Sequence, residues 1–314
     1  GFLAVSRTDF IQGVMMFFAI LIVPLAAMFM LGGPLVTAEA IEAYNASFFQ
    51  PFAKPDGTTI TLLEIISLMG WGIGYFGQPH ILVRFMAIKH TSDIPQATRI
   101  AMVWVVLSLT AALAVGMVGA VFLAEPLTEA NRETVFLVMT NMMFPSVLAG
   151  LILAAVLAAI MSTASSQLLV AASAVSQDFY RSLIHSKAGQ GELIWVSRIS
   201  VLVIAALAIA FAMNPNSFIL DMVSYAWAGF GAAFGPAVLM SLFWRRTTRN
   251  GVLAGIVVGG LTVLIWKQFA WLGLYEIVPG FIFSLLAIWL VSLLDRQPPE
   301  QITRVFDAAG QSKI

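Results

Sequence analysis

Eight long apolar runs, at 9–32, 60–83, 100–124, 145–177, 197–213, 217–244, 251–272 and 276–294, leave this chain few ways to fold. About 20 predominantly apolar residues carry a helix across roughly 30 Å of hydrocarbon. Unpaired backbone groups are so costly there that only helices and closed barrels can span it. The runs are continuous and lack the alternation of a barrel strand. The expected fold class is therefore an all-α integral membrane protein with eight transmembrane helices, one polytopic domain over residues 1–314. Composition agrees, since 60% of the residues are hydrophobic and 10% charged, where soluble domains carry roughly 25% charged residues. A globule of ~300 residues buries only about 75% of the surface its unfolded chain exposes. A soluble enzyme, a nucleic-acid-binding module and a disordered chain are excluded. The first run, Phe10 to Leu31, is too long for a signal-peptide core and reads as a true span. The chain starts at Gly1 rather than Met, which leads to the expectation that the start of a parent protein is missing.

Charge placement tests the span count independently, because cytoplasmic connections are enriched in Lys and Arg. Thirteen of the 16 basic residues fall on one alternating set of connections: at Arg7, within 84–99, within 181–198, within 245–249, and in the tail at Arg296, Arg304 and Lys313. The other set holds only Lys54, Arg132 and Lys267. This alternation predicts eight spans with both ends cytoplasmic, and a polar cytoplasmic tail over 295–314 without an anchor signal. Segment 33–59 reads as an external connection in which Asn45-Ala46-Ser47 matches a glycosylation sequon by chance. Segment 125–144 reads as acidic and then weakly helical, a surface helix before the next span. There is no cysteine, so no disulfide framework, thiolate metal site or cysteine nucleophile is available.

Two runs are poor plain helices. GWGIGYFGQP at 70–79 places four glycines and a proline within ten residues. Each glycine costs ~1 kcal/mol and the proline ~3 kcal/mol in a helix interior. Such a break survives in lipid only inside protein or beside a watery cavity, and broken helices are how secondary transporters build substrate sites. Trp71, Tyr75 and Pro79 recur at i, i+4 and i+8, along one face of any helical portion. A proline kink with Gly70 and Gly74 as a close-packing pair accounts for the same residues. AAIMSTASSQ at 158–167 is the second case. Ala159, Ser162 and Thr163 share one face and offer hard oxygen ligands of the type that suits alkali ions. No carboxylate lies beside them in the sequence, which favours a monovalent ion. Bonding of the hydroxyls back to the preceding turn explains the cluster equally.

The other features have structural readings. Gly251, Gly255 and Gly259 at i+4 spacing mark helix packing, and SYAWAGFGAAFGP at 224–236 reads first as a tight crossing. Thr61 to Glu64 forms a capping box, Asp221 follows a Ser217 cap, and Asp9 beside Thr8 reads as a cap. His80 stands open between a packed polar residue and a switch.

At these residues the sequence resembles the sodium:solute symporter family, most closely its proline-importing bacterial members. The resemblance is carried by GFLAVSRTDFIQ, ISLMGWGIGYFGQPHILVRFM, LAAIMSTASSQLLV, VSYAWAGFGAAFGP, WRRTTRNGVLAG and WKQFAWLGLYEIVPGFIF. It implies a leucine-transporter type of fold, two inverted five-helix repeats plus extra helices. The first run would close repeat one, the next five would form repeat two, and the last two would be additional. It also implies sodium at the Ala159 carbonyl, Ser162 and Thr163, and L-proline at Trp71, Tyr75 and Pro79. The implied activity is sodium-coupled proline uptake by alternating access in the bacterial inner membrane. Sodium would be the coupling ion, with no cofactor, no nucleic acid and no obligatory protein partner. Symport of another small solute, or a membrane sensory input domain, are the alternatives. The family's first core helix, which completes the sodium shell, is absent from this chain, so the chain is not expected to transport alone. Arg7 stands where a tryptophan is usual, Ser166 where a close relative has cysteine, and Asp221 where a small neutral residue is expected.

Overall fold

The computed structural model describes residues 2–213, 219–269 and 271–311. Among them lie twelve α-helices: α1 (Phe2–Met30), α2 (Pro34–Tyr44), α3 (Leu62–Gly74), α4 (Pro79–Met86), α5 (Ile94–Phe122), α6 (Val135–Met143), α7 (Ser146–Ser173), α8 (Gln190–Ala212), α9 (Ile219–Phe243), α10 (Arg249–Phe269), α11 (Ile277–Leu294) and α12 (Glu300–Gln311). Seven helical stretches are long and apolar enough to cross a membrane. The expected span at 60–83 is not one continuous helix. It is α3, a 3-10 turn over Tyr75–Gly77, an extended Gln78 and then α4. The glycines and the proline cause the interruption: Pro79 lacks an N–H for the preceding turn and stands at the first position of α4, where none is needed.

The helices form two compact units, Gly1–Thr59 with Ile94–Asn216, and Ile60–Asp93 with Ser217–Ile314. In the first, Val23 and Ala27 of α1, Val115 and Val118 of α5, Met139 of α6 and Ile152 and Ala155 of α7 make one buried cluster. Small side chains on α7 let it approach closely; Ala149, Ala155, Ala158 and Ala172 are buried. Lipid tails are as apolar as leucine, so close packing rather than expulsion from water holds such helices together. Helix α6 is not the surface helix expected at 125–144, because its Met139 and Thr140 are fully buried. Its Val135 and Met139 fill the space left by the missing side chain of Gly119 on α5. In the 33–59 segment, Asn45 Oδ1 accepts from Ser47 N at 2.9 Å and its Nδ2 donates to the Pro55 carbonyl at 2.9 Å, so the sequon asparagine fastens a turn. Helix α7 runs on into a π-helix over Ala174–Ile184. Glu192 Oε1 ties its end to α8 by accepting from Tyr180 Oη at 2.6 Å and pairing with His185 Nδ1 at 2.8 Å.

In the second unit, the Gly251, Gly255 and Gly259 stripe of α10 meets Ser292, Ile288 and Ser284 of α11 and the Ala232 carbonyl of α9. A Cβ on any of the three would strike a neighbour, so the i+4 spacing is a contact surface. Thr61 and Glu64 form the capping box: Glu64 Oε2 accepts from Thr61 N at 2.8 Å, and Thr61 Oγ1 accepts from Glu64 N at 3.3 Å. Asp221 lies in the first turn of α9; the Ser217 cap expected before it, like Lys313 in the tail, lies outside the described residues. Beyond α11 the chain forms α12, which Arg245 fastens: Nε donates to Asp307 Oδ1 at 2.8 Å and Nη2 to Oδ2 at 2.9 Å. The hydrogen bond and charge of Arg245 hold the Asp307 carboxyl below its ordinary pKa.

Candidate functional site

The interrupted helix is built from the second unit alone. Helix α3 ends at Gly74, so carbonyls of its last turn lose their helical partners. Two side chains supply replacements. Trp227 of α9 donates Nε1–H to the Trp71 carbonyl at 2.9 Å. Gln78, 3% exposed, donates Nε2–H to the Gly74 carbonyl at 3.3 Å and to the Trp227 carbonyl at 3.2 Å. Glycine is required at the contact: a Cβ on Gly74 would enter the Trp227 indole, and one on Gly231 would come within 2.7 Å of Gly74 Cα. Packing and interruption, separate readings of GWGIGYFGQP, are thus one device, in which glycines admit the α9 groups that stabilise the break.

Trp71 and Tyr75 converge on Trp227. The Trp71 and Trp227 rings stack at 5.3 Å between centroids and 15° between planes, while Tyr75 meets Trp227 edge-on at 4.8 Å and 82°. Tyr75 remains half exposed. Pro79 lies across the break as the first residue of α4, so the i, i+8 relation to Trp71 is not a shared face of one helix. His80, next along α4, is half-buried. The result is an aromatic surface beside an opposed pair of helix ends, the carbonyl end of α3 and the N–H end of α4.

The second cluster belongs to the first unit. Ala159, Ser162 and Thr163 lie within α7 on one face. Thr163 Oγ1 donates to the Ala159 carbonyl at 3.2 Å and Ser165 Oγ to the Ser162 carbonyl at 3.1 Å. This is the back-bonding that membrane helices use for hydroxyls, and it leaves acceptor lone pairs on each oxygen. One turn on, Ser166 Oγ donates to Asp9 Oδ2 of α1 at 3.1 Å. Asp9 is therefore no cap: it sits inside α1 and brings a carboxylate to the hydroxyl cluster. The expectation that none stands near came from reading one helix in isolation. The available signal was polar Thr8, Asp9 and Gln12 at the head of an apolar run. Gln12 adds a buried Oε1 without a hydrogen-bond partner among the described residues.

An interrupted helix beside an aromatic cluster and a helix bearing a hydroxyl face are features from which membrane proteins of the secondary-transporter type build their sites. The family model for "Sodium:solute symporter family" matches residues 1–259, and this chain belongs to that family. It is 47% identical over 315 residues to the sodium/proline symporter of Escherichia coli (strain K12), covering 98% of this chain and 62% of that protein. It is 46% identical over 310 residues to the high-affinity proline transporter PutP of Bacillus subtilis (strain 168), with 98% and 64% covered. The chain thus spans less than two thirds of the length of these relatives. A solved Na+-coupled sialic acid symporter in a substrate-bound outward-open state aligns with TM-score 0.74 at 18% identity, over 96% of this chain and 64% of that one. That likeness establishes the fold, which is all-α and of the leucine-transporter type.

Proposed function

We propose that this chain forms part of a sodium-coupled symporter that imports L-proline across the bacterial cytoplasmic membrane by alternating access. It acts as a secondary transporter rather than an enzyme, with no cofactor and no nucleic-acid or obligatory protein partner. The observation that carries the substrate reading is the Trp71–Trp227–Tyr75 surface beside the interrupted helix. A pyrrolidine ring with a secondary ammonium suits it chemically, since aromatic faces attract cations and the C–H groups beside them. The two helix ends suit a zwitterion, the ammonium toward the carbonyl end and the carboxylate toward the N–H end. Proline meets Trp71 and Tyr75, and Pro79 sets where α4 begins. The names of the relatives support this substrate over another solute.

Sodium binds the α7 face through the Ala159 carbonyl, Ser162 and Thr163. Asp9, bonded to Ser166 one turn away, favours a cation there. The eight membrane crossings include the interrupted one, and the alternation of basic residues puts both ends, with the tail over 295–314, in the cytoplasm. Sodium entry down 100 mV supplies ~2.3 kcal/mol per charge, and it drives uptake because ion and substrate favour the same conformations.

The test is uptake of labelled proline by cells lacking their own proline importers and expressing the complete reading frame. Uptake in sodium that disappears in potassium supports the reading. Normal membrane expression with no proline uptake in either cation overturns it.

A further inference from the structure

Helix α12 carries Ile302, Val305, Phe306 and Ala309 at i, i+3, i+4 and i+7, which places them on one arc. Low average hydropathy hides this period in a tail that reads as polar. Only part of the arc is used inside the protein. Thr303, Phe306 and Asp307 are half-buried, whereas Ile302 is 59% and Val305 71% exposed.

Two arginines just past α9, beyond Trp244, tie this helix and the end of α11 to the turn that follows α9. Arg246 Nη2 donates to the Leu293 and Asp295 carbonyls at 3.2 Å each, which sets the ends of α9 and α11 at one level. Arg245 holds Asp307 through two hydrogen bonds, which ties α12 to that level. The last side chains of the two spanning helices there, Phe243 and Leu294, are exposed and apolar. Ile302 and Val305 thus add exposed apolar side chains to those at the ends of α9 and α11. The turn after α9, the start of α10, the link after α11 and α12 itself carry Arg245, Arg246, Arg249, Arg296 and Arg304 against Asp295, Glu300 and Asp307, with Arg245 paired to Asp307 and Arg304 to Glu300.

We propose that α12 is an in-plane membrane anchor. Ile302 and Val305 seat at the boundary between headgroups and acyl chains, and Arg249 and Arg296, which stand outside those ion pairs, meet anionic phospholipid headgroups. A short amphipathic helix binds a bilayer weakly by itself and needs a second attachment; the Arg245–Asp307 pair and the covalent link to α11 provide it. The leaflet involved rests on the topology proposed above, but the anchoring does not.

The chain has no cysteine, so single nitroxide labels can be placed on Val305→Cys and, separately, on Arg304→Cys in the full chain, held in nanodiscs of phosphatidylglycerol or of phosphatidylcholine. Collision with oxygen, which concentrates in lipid, is compared with collision with an aqueous nickel chelate. The expected result is an oxygen-to-nickel ratio several-fold higher at Val305 than at Arg304, with the larger contrast in phosphatidylglycerol. Equal nickel access at both positions overturns the proposal by placing the helix in water. Shielding of Val305 from both reagents also overturns it, since a protein surface would then cover the face. Neither proline nor sodium is present, so a wrong substrate assignment leaves this result unmoved.

Discussion

Replacing Trp227 by phenylalanine isolates one bond in the interrupted helix. The aromatic contacts at 5.3 and 4.8 Å with Trp71 and Tyr75 remain available to a phenyl ring, but the donor to the Trp71 carbonyl is lost. That carbonyl lies in the last turn of α3, where the helix cannot supply a substitute, and the site is part-buried. An orphaned buried acceptor costs ~1–3 kcal/mol. If this free energy is lost from the state that binds substrate, apparent proline affinity falls about 5- to 150-fold. The assay is proline uptake kinetics in sodium for wild type and Trp227→Phe at matched expression. Thermal stability in detergent is measured alongside, to show how much of the cost falls on the fold. A rise in KM with a modest loss of stability is the expected pattern. Wild-type KM together with wild-type stability would refute the idea that Trp227 supports the break.

Two further outcomes follow from the packing and the tail. Gly255→Ala forces a Cβ against the Ile288 side chain, with Cδ1 at 2.8 Å; overpacking of this kind costs ~1–3 kcal/mol, read as a lower thermal midpoint in detergent, while Gly260→Ala, which meets nothing within 4 Å, leaves the midpoint unchanged. Arg245 lowers the pKa of Asp307, so its contribution to docking α12 is complete above the ordinary carboxylate pKa of about 4 and is lost as pH falls through the lower, docked value. A mobility probe on α12 therefore stays constrained at neutral pH and loosens only in acid, and Asp307→Asn loosens it at every pH.

The membrane class and the position of the break were legible because they rest on local quantities: run length, the glycines of 70–79 and the proline at 79. Spacing singled out the residues of both clusters, and family resemblance added the ligands proposed for them. What the sequence could not reveal was partnership across helices. Trp227 read as part of a packing stretch because its role depends on the carbonyl that α3 leaves open. Asp9 read as a cap because its partner, Ser166, lies 157 positions away. Helix α6 read as surface because its burial comes from the space beside Gly119 rather than from its own pattern. The tail read as featureless because four apolar residues among polar ones barely raise the mean, although their spacing is helical.

The central claim is that an ion on the α7 face and proline at the interrupted helix favour the same conformation. Equilibrium proline binding to the purified complete protein over a range of sodium concentrations tests it most directly, for wild type and for Ser162→Ala with Thr163→Ala. The account predicts that sodium tightens proline binding in the wild type and that proline tightens sodium binding by the same factor, as linkage requires. The double substitution should flatten the sodium dependence while weak proline binding persists. Proline affinity indifferent to sodium in the wild type, or an unchanged sodium dependence in the double variant, would contradict the account.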